Sequence, residues 1–151
     1  MLKRQVKYQP ERSLTYLGSP CIVRLPNKAL IVTHDYYGKG CPRNHQADES
    51  LTSVYRSEDN GETWVNITHI MNCYWNHLFV LDGSLYIMGC MQQYGAIVIR
   101  RSDDGGFTWT HPVDAHTGIL FPAGPYWQPP NYLSTAVPAT IHNGRIYKAF
   151  E

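Results

Sequence analysis

The chain has 151 residues, of which 43% are hydrophobic and 17% charged, enough for a folded domain with a real core and unlike a disordered segment. Thirteen Lys and Arg against twelve Asp and Glu leave a net charge of +1 with the basic residues scattered, which argues against a nucleic-acid partner. No stretch approaches the length of a membrane span, which argues against a membrane partner.

The N-terminal "MLKRQVKYQPERSL" is basic but has no apolar segment behind it, so no signal peptide is visible and the chain reads as soluble. "CIVRLPNKALIVTHD" (21–35) then reads as strand, tight turn at Asn27-Lys28, strand. A loop over 36–50 leads to "SVYR" and the segment "RSEDNGETW" (56–64), which runs on into "WVNIT". The triplet at Asn66 fits a glycosylation acceptor but carries little weight without a secretion signal.

The same order recurs. "HLFVLDGSLYIMGC" (77–90) is strand, turn at Asp82-Gly83, strand; "AIVIRR" follows, then "RSDDGGFTW" (101–109) running into "WTHPV". "VDAHTGILFPAGPYWQPPNY" reads as loop by its Gly and Pro content. "VPATIHNGRIYKAFE" (137–151) is a third strand-turn-strand, with its turn at Asn143-Gly144. Asp-Gly and Asn-Gly are strong signals for type I′ hairpins.

The two nine-residue segments share Ser-x-Asp-x-Gly-x-Thr-Trp, with Ser57 and Ser102 lying 102 − 57 = 45 positions apart. Asp59 and Asp104 suit acceptors for loop N–H groups, and Gly61 and Gly106 suit positive φ. Thr63 and Thr108 can return a bond to the loop, and Trp64 and Trp109 can anchor it between layers. The pattern reads as a structural clip; its ligand spacing does not fit a calcium loop.

Four antiparallel strands per repeat describe a blade. The expected fold class is therefore all-β, a β-propeller of four-stranded antiparallel blades forming one partial domain over 1–151. Blade one covers about 17–69, blade two about 74–113, and blade three starts near 133 and is incomplete. Propellers typically have about four to eight blades. Two and a half suggest an N-terminal fragment of a longer ring, with this piece inactive by itself. The oligomeric state is left open.

"SEDNGETW" and "SDDGGFTW" resemble the Asp-box, the bacterial neuraminidase repeat of the sialidase-like superfamily. That resemblance implies a glycan substrate and an active site at the strand ends opposite the Asp-boxes. It also implies an Arg two residues before the first-blade proline. If that proline is Pro20, Gly18 stands in the Arg position, which puts sialic acid hydrolysis in doubt. At the expected active face, "THDYYG" supplies His34 and Asp35, the candidate catalytic pair. A central His is similar to propeller enzymes acting on rhamnose–glucuronic acid linkages, where Arg43 or Arg100 would hold the carboxylate.

Tyr36, Arg43, Tyr74, Trp75, His77 and Tyr94 are the candidate substrate contacts, since flat rings with polar edges suit sugar faces. Tyr37, Tyr126, Trp127 and Tyr132 belong to the same aromatic set. A metal site from His34, His45 and His77 lacks any spacing signature, and no cofactor is called for. Cys21, Cys41, Cys73 and Cys90 form no CxxC pair and read as free thiols. The function expected is a glycoside hydrolase acting next to an acidic sugar. The alternatives are a lyase using a His base on the same scaffold, or a non-catalytic glycan- or protein-binding propeller.

Overall fold

The computed structural model describes residues 4–43, 49–125, 127–134 and 137–151. Among them there is no α-helix, only a single 3-10 turn at Glu11–Ser13. The first sheet is a four-stranded antiparallel meander of β1 (Tyr16–Arg24), β2 (Leu30–Tyr37), β3 (Leu51–Ser57) and β4 (Val65–Met71). The second repeats that order with β5 (Tyr74–Leu81), β6 (Ser84–Cys90), β7 (Ile97–Ser102) and β8 (Ile119–Phe121). β9 (Thr140–His142) and β10 (Arg145–Tyr147) form a two-stranded hairpin.

The turn chemistry sets these pairings. Asp82-Gly83 and Asn143-Gly144 all have positive φ, as type I′ turns require. Between β1 and β2, Lys28 has a φ of 74°, and Leu25 pairs its backbone with Ala29.

One strand differs from the sequence expectation. "WTHPV" is not a strand; the fourth strand of the second sheet is β8, inside the stretch read as loop. Pro112 has no N–H to give a ladder. Asp114 then accepts from the N–H groups of His116 and Thr117, a turn that sends the chain back along β7.

The first and second sheets pack face to face, with β1 beside β5. Leu25, Ile31, Val54 and Ile70 from the first meet Leu78, Leu85 and Ile87 from the second, nearly all excluded from solvent. Trp109 packs on the same cluster. A smaller cluster of Tyr74, Cys90 and Ile97 receives Tyr132, Leu133 and Phe150, which seats the third segment against the second sheet.

The two repeated loops are wired alike. Ser57 and Ser102 each donate to their Asp (Oδ1) at 2.8 Å and accept from Gly61 and Gly106 N–H at 2.8 Å. The Thr63 hydroxyl donates to Asp59 at 2.6 Å, and that of Thr108 to Asp104 at 2.5 Å. Arg24 bonds both the Lys28 carbonyl and Asn60, so the first hairpin and the first clip share one end of the sheet. The second clip reaches across the seam: Arg56 donates to the Gly105 carbonyl at 2.9 Å and lies over the Phe107 ring.

Candidate active-site cleft

At the end away from the clips, β1 and β5 carry the same irregularity. Gly18 pairs with Asp35 and Cys21 with Thr33, so two residues of β1 oppose one of β2. Tyr74 pairs with Cys90 and His77 with Met88, with the same excess in β5. The extra residues begin at Ser19 and Trp75, each with a φ of 48°. Such bulges bend a strand and re-aim its side chains. Between them lies a cleft of about 270 Å³ lined by Ser19, Pro20, Cys21, Trp75, Asn76 and His77.

Behind the cleft sits Asp35, 2% exposed. Its Oδ1 accepts the Thr52 hydroxyl at 2.5 Å, and its Oδ2 accepts the Trp75 N–H at 2.8 Å. The Tyr37 hydroxyl lies 3.5 Å from Oδ2 and 2.5 Å from the Ser19 hydroxyl. A chain of hydroxyls thus links the carboxyl to the cleft wall. Burial pushes the Asp35 carboxyl up to about 7, against the lowering effect of these donors.

The remaining cleft groups are polar and poorly satisfied. Asn76 is 8% exposed, and neither its Oδ1 nor its Nδ2 has a hydrogen-bond partner among the described residues. Its Oδ1 lies so close over Gly89 that a Cβ there would approach to 2.6 Å. His77 Nδ1 lies 3.3 Å from Cys21 Sγ. Burial, and then the Lys148 ammonium, lower the His77 pKa, so its ring is neutral near pH 7.

The expected catalytic pair is not brought together. His34 and Asp35 are consecutive in β2, so they face opposite sides of the sheet. His34 stacks on Tyr55 at 5.4 Å, meets Tyr36 edge-on, and bonds the Asp35 carbonyl through Nδ1. Its buried Nε2 has no partner among the described residues, and it lines a separate hollow with Val6, Lys7 and Gly18. Asp35 is spent on the seam between the sheets.

Of the expected substrate contacts, Trp75 and His77 line the cleft. Tyr74 does not present a ring to it: the residue is 3% exposed and stacks parallel on Trp75. Tyr36 lies on the His34 side and bonds Ser53 through its hydroxyl at 2.8 Å. Arg43 is outside the cleft, bonding the Gly38 carbonyl and Glu49. Tyr94 packs on Trp127 with ring centres 4.6 Å apart. Arg100, the other cation considered for a carboxylate, is 3% exposed and donates to the Thr110, Met71 and Asn72 carbonyls. His45 and Tyr126 lie outside the described residues.

Sequence reasoning passed over Cys21, Asn76 and Lys148. Lys148 acts electrostatically on Cys21, His77 and Cys90. Its signal was available: counted from the hairpins, Lys148 takes the register position of the buried Ile87. A lysine where the preceding repeat has a core isoleucine marks a polar surrounding. Among the described residues no three His, Cys, Asp or Glu side chains are grouped to hold a metal. All four cysteines are unpaired.

No protein-family model and no curated protein matches the chain. Three of the solved structures it is similar to are as follows. One is an α-L-arabinanase of Penicillium chrysogenum complexed with arabinobiose: 26% identity, 60% of this chain and 29% of that one, TM-score 0.48. Another is a sialidase of Trypanosoma rangeli with the inhibitor DANA: 22% identity, 56% of this chain and 13% of that one, TM-score 0.44. The third is an α-L-arabinofuranosidase of Fusarium graminearum with arabinobiose: 18% identity, 66% of this chain and 31% of that one, TM-score 0.47. The chain spans less than a third of the length of each.

Proposed function

We propose that this chain forms blades of a sialidase-like β-propeller, and that the protein carrying it is a glycoside hydrolase acting on a glycan with an acidic sugar. The carrying observation is the cleft between the bulges of β1 and β5. It offers one indole ring, one amide with unused donor and acceptor, and a carboxyl titrating near neutrality behind it. That combination of a flat apolar wall and few oriented polar groups suits a sugar. Of the candidate pair, Asp35 takes the proton-transfer role, working through Tyr37 and the Ser19 hydroxyl. Lys148, near His77, supplies the cation for a sugar carboxylate.

A second reading has one observation in its favour. His77 is neutral in the cleft with a lysine nearby, the arrangement a lyase needs to draw a proton from beside a uronate carboxylate. The test is turnover by the whole protein on glycans ending in sialic acid, in rhamnose–glucuronic acid and in arabinose. Asp35→Asn should reduce hydrolysis at least about 100-fold with binding retained. An unsaturated product abolished by His77→Ala would establish the lyase instead. Binding without turnover on any of these would make the protein a glycan-binding module.

A further inference from the structure

We propose that Cys21 and His77 form a thiol–imidazole pair that makes the cleft a covalent site for small soft carbon electrophiles bearing a carbonyl group. This goes beyond glycan recognition and does not depend on it. Four observations meet here. Cys21 Sγ and His77 Nδ1 are 3.3 Å apart, across two sheets and 56 positions of sequence. The Leu78 N–H also points at the sulfur, at 3.3 Å, where it stabilises developing negative charge. Cys21 is half-buried and lines the cleft, whereas Cys41, Cys73 and Cys90 are buried. Asn76, more than nine-tenths buried and with its amide unpartnered, lines the same cleft, and we assign that amide to the electrophile's carbonyl oxygen.

The chemistry balances with these groups alone. Burial keeps the Cys21 thiol protonated at rest, opposed by the Leu78 and Ile22 N–H groups and by Lys148. A neutral imidazole at Nδ1 is the base that thiol needs. With iodoacetamide as probe, sulfur attacks the methylene carbon, the C–I bond breaks and iodide leaves with its electron pair. The thiol proton passes to His77 Nδ1.

The experiment is timed labelling of the native protein with limiting iodoacetamide, read by peptide mass spectrometry at each cysteine. Cys21 should be labelled at least tenfold faster than Cys41, Cys73 and Cys90, and all four should converge in urea. His77→Asn should slow Cys21 at least tenfold while leaving the other three and the melting temperature unchanged. Labelling of Cys21 no faster than the buried thiols overturns the proposal, and that comparison needs no variant. An undiminished rate in a folded His77→Asn protein overturns the role of the imidazole. Neither result bears on turnover of glycans, which is scored separately.

Discussion

The buried carboxylate of Asp35 accepts the backbone N–H of Trp75 at 2.8 Å, joining the second strand of one sheet to the bulge of the next. A single side chain therefore fixes both the seam and the wall of the cleft. Tyr37 and Thr52 bond the same carboxyl, so its removal leaves several buried donors without an acceptor.

The pH dependence of stability follows from that burial. Asp35 titrates near 7 when folded against an ordinary value of 3.8. A raised folded-state value favours the fold fully below about pH 4, and this contribution is lost as pH rises through 7. The loss is on the order of 3–4 kcal/mol across that window. Urea midpoints at pH 4.5 and 8 should show it, and Asp35→Asn should flatten the difference. A slope that persists in the variant assigns the titration to another group.

The clips respond in the opposite direction. The Thr63 hydroxyl, the Thr63 N–H and Ser57 hold Asp59 down at about 2. Burial raises Asp104, and the combined bonds from Thr108, Ser102 and the Phe107 N–H outweigh it and hold the carboxyl at about 2. Their stabilisation is complete above pH 4 and disappears as pH falls through 2. Asp104→Ala should cost about 0.5–1.5 kcal/mol near neutral pH, since the exposed Thr108 and Phe107 N–H groups exchange their acceptor for water. Asp59→Ala should cost less, because its loop is exposed and does not enter the seam; thermal melts of the two variants compare them directly.

Arg100 should prove structural. Replacement by Leu leaves the Met71, Asn72 and Thr110 carbonyls unpaired and should cost about 2–4 kcal/mol. Lys should not rescue it, because an ammonium lacks the planar fork that reaches three acceptors. Chemical denaturation of the Leu and Lys variants is the measurement. A glycan affinity that falls while stability holds would return Arg100 to substrate binding.

Gly89→Ala should narrow the cleft. The added methyl would meet Asn76 Oδ1 at 2.6 Å and the Asn76 and Trp75 backbones at 2.8 Å. Backbone cannot swing aside as a side chain can, so a loss of about 1–3 kcal/mol and weaker glycan binding are expected together. Titration calorimetry and melting on the same variant check both.

Strand, turn and repeat were legible in the sequence because they rest on local rules. Asp82-Gly83 and Asn143-Gly144 announce their hairpins, and the apolar runs that follow the turns at Asn27-Lys28 and Asp82-Gly83 locate β2 and β6. The missed strand, β8, is three residues long among Gly and Pro, too short for any period to show. The cleft was only half legible. Trp75 and His77, at the start of an inner strand, do line the cleft. His34 was misplaced because a strand shows consecutive residues to opposite faces, and nothing local says which face meets the next sheet. Tyr74 and Arg100 carry the right chemistry for a sugar site, but long-range packing turned both inward. Cys21 meets His77 only through the pairing of two sheets, a contact 56 positions apart in sequence.

Ser19 and Trp75 share the same strained backbone angle while one is among the smallest side chains and the other the largest. Strand pairing, not the side chain, therefore dictates the conformation at these two points. A scaffold built this way separates its architecture from its vocabulary: the two repeats present unlike side chains at the same rim, and the backbone ladder on either side is the same for both.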